Sequence, residues 1–218
     1  MDIKFASIMA VGFDLDRTMY KDSSEMNSKI VDKIALKVLE IKPELDSIKR
    51  VREIYDEEAR ILGSWPKVLL RLGISDPMKI MHSCIESADI LDLIKRDEKL
   101  VKIMEKLHQK YFLFLITGSS KNFAIAVLER IGINPKLFKF TLFGDNPQGI
   151  RKYDDGAFKH FLAQSPFAPD EHVYIGDNPK TDVHIPRFLG MKAIAVGKHV
   201  EGADYSVEHI HEIESLLL

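Results

Sequence analysis

Apolar residues gather along this chain in five short runs, Ile8–Phe13, Phe112–Ile116, Lys139–Phe143, His172–Ile175 and Lys192–Val196. Several are rich in β-branched or aromatic residues, and turn residues bound most of them. Such runs predict strands buried on both faces of a parallel sheet. Between them the spacing turns helical. Glu98–Lys110 places Val101, Met104 and Leu107 along one face, Asn122–Ile131 and Ala157–Leu162 behave likewise, and Val207–Leu217 reads as a final amphipathic helix. Strands alternating with helices predict an α/β fold with a doubly wound, Rossmann-like, mainly parallel sheet.

One interval breaks the alternation. From residue 21 to about 94 there is no strand candidate, and Lys29–Ile41, Glu44–Leu62, Lys67–Leu72 and Pro77–Ala88 all read as helices. This is far longer than an ordinary connection. It predicts an all-helical cap domain over residues 21–94, inserted into an α/β core made of residues 1–20 and 95–218.

Composition narrows the class. The 218 residues are 45% hydrophobic and 29% charged, as in an ordinary globular protein. With 31 basic and 33 acidic residues, the net charge of −2 offers no basic field for nucleic acid. No apolar run is long enough to span a membrane, and Ile8–Phe13 lacks the flanks of a signal peptide. The single cysteine, Cys84, cannot form an internal disulfide and suits a reducing compartment, so a cytoplasmic protein is expected. Cys84 itself reads as a small buried hydrophobe.

In an open parallel sheet, chemistry gathers at the carboxyl ends of the strands. After the first run come Asp14-Leu15-Asp16-Arg17-Thr18, and after the second Thr117-Gly118-Ser119-Ser120. After the fourth come Gly176-Asp177-Asn178-Pro179-Lys180-Thr181-Asp182, and Lys152 precedes the helix leading into that strand. Taken together these corners resemble the four signatures, in order, of the haloacid dehalogenase superfamily, chiefly its phosphatase branch. Val-Gly-Phe-Asp14-Leu-Asp16-Arg-Thr18 is similar to the first, Leu-Ile-Thr117-Gly to the second, Lys152 to the third, and Gly176-Asp177 with Asp182 to the fourth. Two positions depart from the family pattern: Arg17 stands where a small or acidic residue is usual, and Tyr153 follows Lys152 where proline is usual.

The resemblance implies a phosphoric monoester hydrolase with Asp14 as nucleophile and Mg²⁺ held by Asp14, Asp177 and the main-chain carbonyl of Asp16. Elementary chemistry runs the same way. A carboxylate attacks a phosphate ester only when their mutual repulsion is neutralised. Mg²⁺ does this with oxygen ligands, of which one or two carboxylates suffice. Asp16, two residues on in an extended segment, shares a side with Asp14 and is suited to protonate the leaving alkoxide and then deprotonate water. Lys152 offers a compact positive charge, and the Thr117 hydroxyl with the Gly118 N–H can hold phosphoryl oxygens. Asp182 is expected to orient Lys152 or a metal-bound water.

Asp16 argues against the family's dehalogenases and phosphonatases, which replace it. A phosphomutase keeps it and stays open, as does, in a different class, a non-catalytic phospho-acceptor switch, which the long insertion after the first strand disfavours. The expected partner is a small phosphorylated metabolite: a sugar phosphate, phosphoglycolate or a nucleotide. Choice among these is expected to lie in the cap, whose Trp65 is the chain's only tryptophan. Trp65 reads as core packing, Arg17 either as a contact to a substrate anion or as a surface charge, and the oligomeric state is left open.

Overall fold

Four of the five runs become strands that bury side chains on both faces while their neighbours satisfy the backbone; in the third, at an edge of the sheet, Thr141 is exposed. The computed structural model describes residues 5–62 and 64–218. In chain order the elements are β1 (Ala10–Phe13), α1 (Ser24–Ile41), α2 (Ile48–Leu62), α3 (Trp65–Arg71), α4 (Pro77–Glu86), α5 (Glu98–Lys110), β2 (Phe112–Ile116) and α6 (Lys121–Ile131). They continue with β3 (Phe140–Leu142), α7 (Gly156–Leu162), β4 (His172–Gly176), α8 (Ile185–Phe188), β5 (Lys192–Val196), β6 (Tyr205–Val207) and α9 (Ile213–Leu217). Two compact units result: the chain through Lys21 together with Ile94–Leu218, and Asp22–Leu93.

The first unit is built on a parallel sheet in the order β3-β2-β1-β4-β5-β6. β1 is central, pairing Ala10 with Phe112 on one side and with His172 on the other. From β1 the chain winds outward in one direction through β2 and β3, and in the other through β4 to β6. The winding reverses between β1 and β4, which opens a crevice at their carboxyl ends. One expectation needs correction. Val207–Leu217 is not one helix: Tyr205–Val207 pairs with β5 as an edge strand, and α9 begins only at Ile213. Three residues with a half-exposed Tyr205 carry no apolar run, yet they cover the open edge of β5.

Gly12 shows how tightly the centre of this sheet is packed. A Cβ at Gly12 would stand 2.1–2.7 Å from the ring of Phe114, which is itself stacked on Phe161 at 3.9 Å between centroids. Neither ring has room to retreat. Gly12→Ala is therefore expected to cost about 3 kcal/mol, the upper range of overpacking penalties, measured by denaturant unfolding. A loss below about 1 kcal/mol would mean that the core can rearrange.

The second unit contains no strand among its described residues. Ser23 caps α1 by accepting the Met26 N–H, and the helix buries Met26, Ile30, Val31, Ile34, Ala35 and Val38. A short 3₁₀ turn at Pro43–Leu45 delays α2 to Ile48, later than the spacing predicts, because the proline supplies no N–H to continue α1. Trp65 packs edge-to-face on the buried Tyr55, with centroids 6.2 Å apart, and Tyr55 donates its hydroxyl to Met81 Sδ at 3.8 Å. Cys84 is buried, and burial pushes its thiol up to about 11, so it is inert packing at neutral pH. No helix among the described residues is long and apolar enough to cross a membrane.

Candidate active site

Asp14 is the first residue beyond β1, and its N–H continues the ladder by donating to the Ile175 carbonyl at 2.8 Å. The side chain is buried at the strand end. Lys152 Nζ donates to Asp14 Oδ1, and the Thr18 hydroxyl donates to Asp14 Oδ2 at 3.2 Å. Lys152 also pairs with Asp182 Oδ1 at 2.8 Å, so its ammonium bridges two carboxylates that lie 168 positions apart in sequence. The Tyr174 ring lies 5.2 Å from the same ammonium. Tyr153, following the lysine, is half-exposed and accepts from Arg151 instead, leaving the lysine's reach intact.

A wide π-type turn at Pro179–His184 delivers Asp182. Asn178 Oδ1 opens it by accepting the N–H groups of Lys180 and Thr181. Asp182 then lies fully buried, accepting from Lys152, from the Thr181 hydroxyl at 2.8 Å and from the Asn178 N–H at 2.9 Å. The close approach requires Gly176, where a Cβ would stand 2.3–2.6 Å from the Asp182 side chain. With its oxygens supplied by three donors, Asp182 holds Lys152.

Asp16 is turned elsewhere. Its carboxylate accepts from the Tyr20 hydroxyl at 2.7 Å, the Ser119 hydroxyl at 2.7 Å and the Thr117 hydroxyl at 3.3 Å. Thr117 in turn receives the Ser119 N–H at 3.1 Å. Gly118, in the same turn, has nothing within 4 Å of where a Cβ would stand. The segment Thr117–Ser120 runs from β2 into the amino end of α6, where helix polarity favours negative charge. Tyr20 and Ser119 were not singled out in the sequence. Tyr20 reaches back four residues because the Leu15 carbonyl receives the N–H groups of both Thr18 and Met19, closing a tight turn. Arg17 sits in that turn in the left-handed region at φ 61°, and its Nε lies 3.3 Å from Asp177 Oδ2.

Oxygens of Asp14, Asp177 and Asp182 lie within 4.8 Å of one another. Burial pushes the Asp14 carboxyl up to about 7; Lys152 pulls it down, and Asp182 and Asp16 add to the rise. Burial also raises Asp177, against the pull of Arg17. Burial works against a charged Lys152, but Asp14 and Asp182 outweigh it and hold the ammonium well above its ordinary value. A proton on Asp14 would forfeit part of what keeps Lys152 charged, so the ammonium form prevails. Burial, the largest cause at both Asp14 and Asp177, and the neighbouring acids after it favour their neutral forms, so a further positive charge is what would keep both ionised. An all-oxygen cluster short of positive charge fits a hard divalent cation. Asp14 and Asp177 are the carboxylates suited to bind it, since Asp182 already accepts from three donors and the Asp16 carboxylate faces Tyr20, Ser119 and Thr117.

Comparisons with known proteins bear on the fold and the family. A search of the curated proteins finds no match. Among solved structures, the chain is similar to a HAD phosphatase from Thermococcus onnurineus at 18% identity and a TM-score of 0.69, covering 96% of this chain and 98% of that one. It is similar to a haloacid dehalogenase-like family hydrolase from Streptococcus pneumoniae at 18% identity and a TM-score of 0.64, covering 97% and 99%. It is also similar to a 2-haloacid dehalogenase from Pseudomonas syringae pv. Tomato at 20% identity and a TM-score of 0.57, covering 96% and 98%. These likenesses establish the fold. The model of the haloacid dehalogenase-like hydrolases goes further and matches residues 11–196, which span β1 through β5 and every polar corner described above. That match covers most of the chain, and the protein therefore belongs to the haloacid dehalogenase-like hydrolase family.

Proposed function

We propose that this family member is a Mg²⁺-dependent phosphatase that hydrolyses a small phosphorylated metabolite through an aspartyl-phosphate on Asp14. The observation carrying the reading is the pair of carboxylates with different surroundings. Asp14 is bound to Lys152 and Thr18, whereas Asp16 is wrapped by three hydroxyls. Dehalogenation needs no proton for its leaving halide, so a second carboxylate held apart from the first would have no leaving group to protonate. Phosphate ester hydrolysis needs such a carboxylate twice, to protonate the departing alkoxide and to deprotonate the attacking water.

Asp14 and Asp177, with the Asp16 main-chain carbonyl, would hold the Mg²⁺, which when bound supplies the charge that lets a carboxylate approach a phosphate. Asp14 attacks phosphorus and takes the phosphoryl group, and the ester oxygen leaves with a proton from Asp16. Hydroxyls donate or accept as needed, so Tyr20, Ser119 and Thr117 can serve Asp16 in either protonation state. Lys152 balances charge on the nucleophile and on the phosphoryl oxygens, with Asp182 holding it in line. The Gly118 N–H and the amino end of α6 favour those oxygens as well.

The purified chain is expected to hydrolyse an aryl phosphate with Mg²⁺ and to lose that activity in chelator, with Ca²⁺ a poor substitute because its larger, looser shell misplaces the reactants. It should leave 2-haloacids untouched. Undiminished hydrolysis after exhaustive chelation, or halide release without phosphatase activity, would overturn the assignment. A panel of sugar phosphates, phosphoglycolate and nucleoside monophosphates then identifies the substrate class.

A further inference from the structure

We infer that Arg17 competes with the divalent cation for Asp177, so that the chain carries its own displaceable counter-ion and binds metal more weakly because of it. The inference rests on the metal site proposed above. Each carboxylate of the cluster has its own cation or donors in this structure. Asp14 has Lys152 and Thr18, Asp182 has Lys152, Thr181 and the Asn178 N–H, and Asp177 has Arg17 as its one ion-pair partner among the described residues. Arg17 differs from Lys152 in how it is held. Lys152 is buried between two acids, whereas the Arg17 side chain is 54% exposed and its partner Asp177 only 21%. Released from Asp177, the guanidinium returns to water at little cost, while the more buried Asp177 still requires a positive charge.

The backbone fixes this rivalry in place. The turn at Leu15, the Asp16–Tyr20 bridge and the left-handed conformation at residue 17 root the arginine in the turn directly after Asp14 and Asp16. Side-chain rotation alone would then take the guanidinium on or off Asp177 Oδ2. An arginine that stayed on one oxygen of Asp177 would still repel a cation on the other, so both arrangements lower affinity.

The test is cation binding by the full chain without substrate, followed through the electron paramagnetic resonance signal of free Mn²⁺, with Mg²⁺ measured by competition. Arg17→Gln and Arg17→Met both remove the charge, and circular dichroism identifies which variants are folded. Both are expected to bind about two- to tenfold tighter than the parent, the scale of a half-exposed ion pair facing a divalent charge. Unchanged or weaker binding in the folded variants, with the parent binding normally, overturns the role of Arg17 alone. Absence of binding in the parent, or an Asp177→Asn variant that binds as the parent does, overturns the metal site and this inference with it.

Discussion

Asp14→Asn is expected to abolish turnover and to leave the protein without any phosphate adduct, whereas Asp16→Asn should trap one. The two side chains are two residues apart and alike in chemistry, so the contrast arises from their surroundings. An amide at position 14 has no nucleophilic oxygen of use, and it faces Lys152 where the ammonium has its closest partner. An amide at position 16 meets three hydroxyls that can turn to accept its N–H bonds, so the site survives the change. Asp14 can then still attack a substrate whose leaving group needs little protonation, such as an aryl or acyl phosphate. The water step also loses its base, so the phospho-enzyme persists. General acid–base groups contribute about 10²–10⁴-fold, and turnover of an alkyl phosphate should fall by that much in the Asp16 variant and by less with an activated donor. Intact-protein mass after rapid quenching reads the result. A phosphate-sized adduct on Asp14→Asn would place the nucleophile elsewhere.

The largest effect on stability is expected at Lys152. Lys152→Met keeps an unbranched apolar stem of nearly the same length but leaves Asp14 and Asp182 buried with their common cation gone. Removing one member of a buried ion pair typically costs about 3–5 kcal/mol, and denaturant unfolding in chelator should show a loss of that order. Mg²⁺ should recover part of it, since the proposed metal would share Asp14 with the lysine. Catalysis should drop roughly 10²–10³-fold, as when an electrostatic contact to the reacting group is deleted. A variant as stable as the parent in chelator would show that the lysine does not bridge these acids in solution.

Much of this arrangement was legible because the informative residues sit where an open sheet exposes them. Asp14, Thr117 and Asp177 each lie just beyond a short apolar run, and period and position alone bring such residues to one edge. Lys152 and Asp182 were visible as residue types at suitable places, and their contact was one of two roles expected for Asp182, but the local geometry that selects it was not legible. It depends on a π-type turn and on the missing Cβ of Gly176, neither of which leaves a hydrophobic pattern. Arg17 escaped for a related reason. A left-handed residue other than glycine has no compositional signal, and neither a substrate contact nor a free surface charge anticipated its pairing with Asp177. β6 was missed because an edge strand of three residues is too short to show alternation.

The central place of β1 bears on how the chain is made. Its partners on either side are residues 112–116 and 172–176, so the strand that leads into Asp14 is synthesised well before both of its neighbours. At about 5–20 residues per second, β1 waits roughly 10–30 s on the ribosome for β4 to appear. Through that time Ala10-Val11-Gly12-Phe13 is an apolar segment with open hydrogen-bonding edges. Four residues interrupted by a glycine and followed at once by Asp14 and Asp16 make a poor template for pairing with a neighbouring nascent chain. The acids to which the proposed reaction assigns the chemistry thus also guard the strand before it has folded.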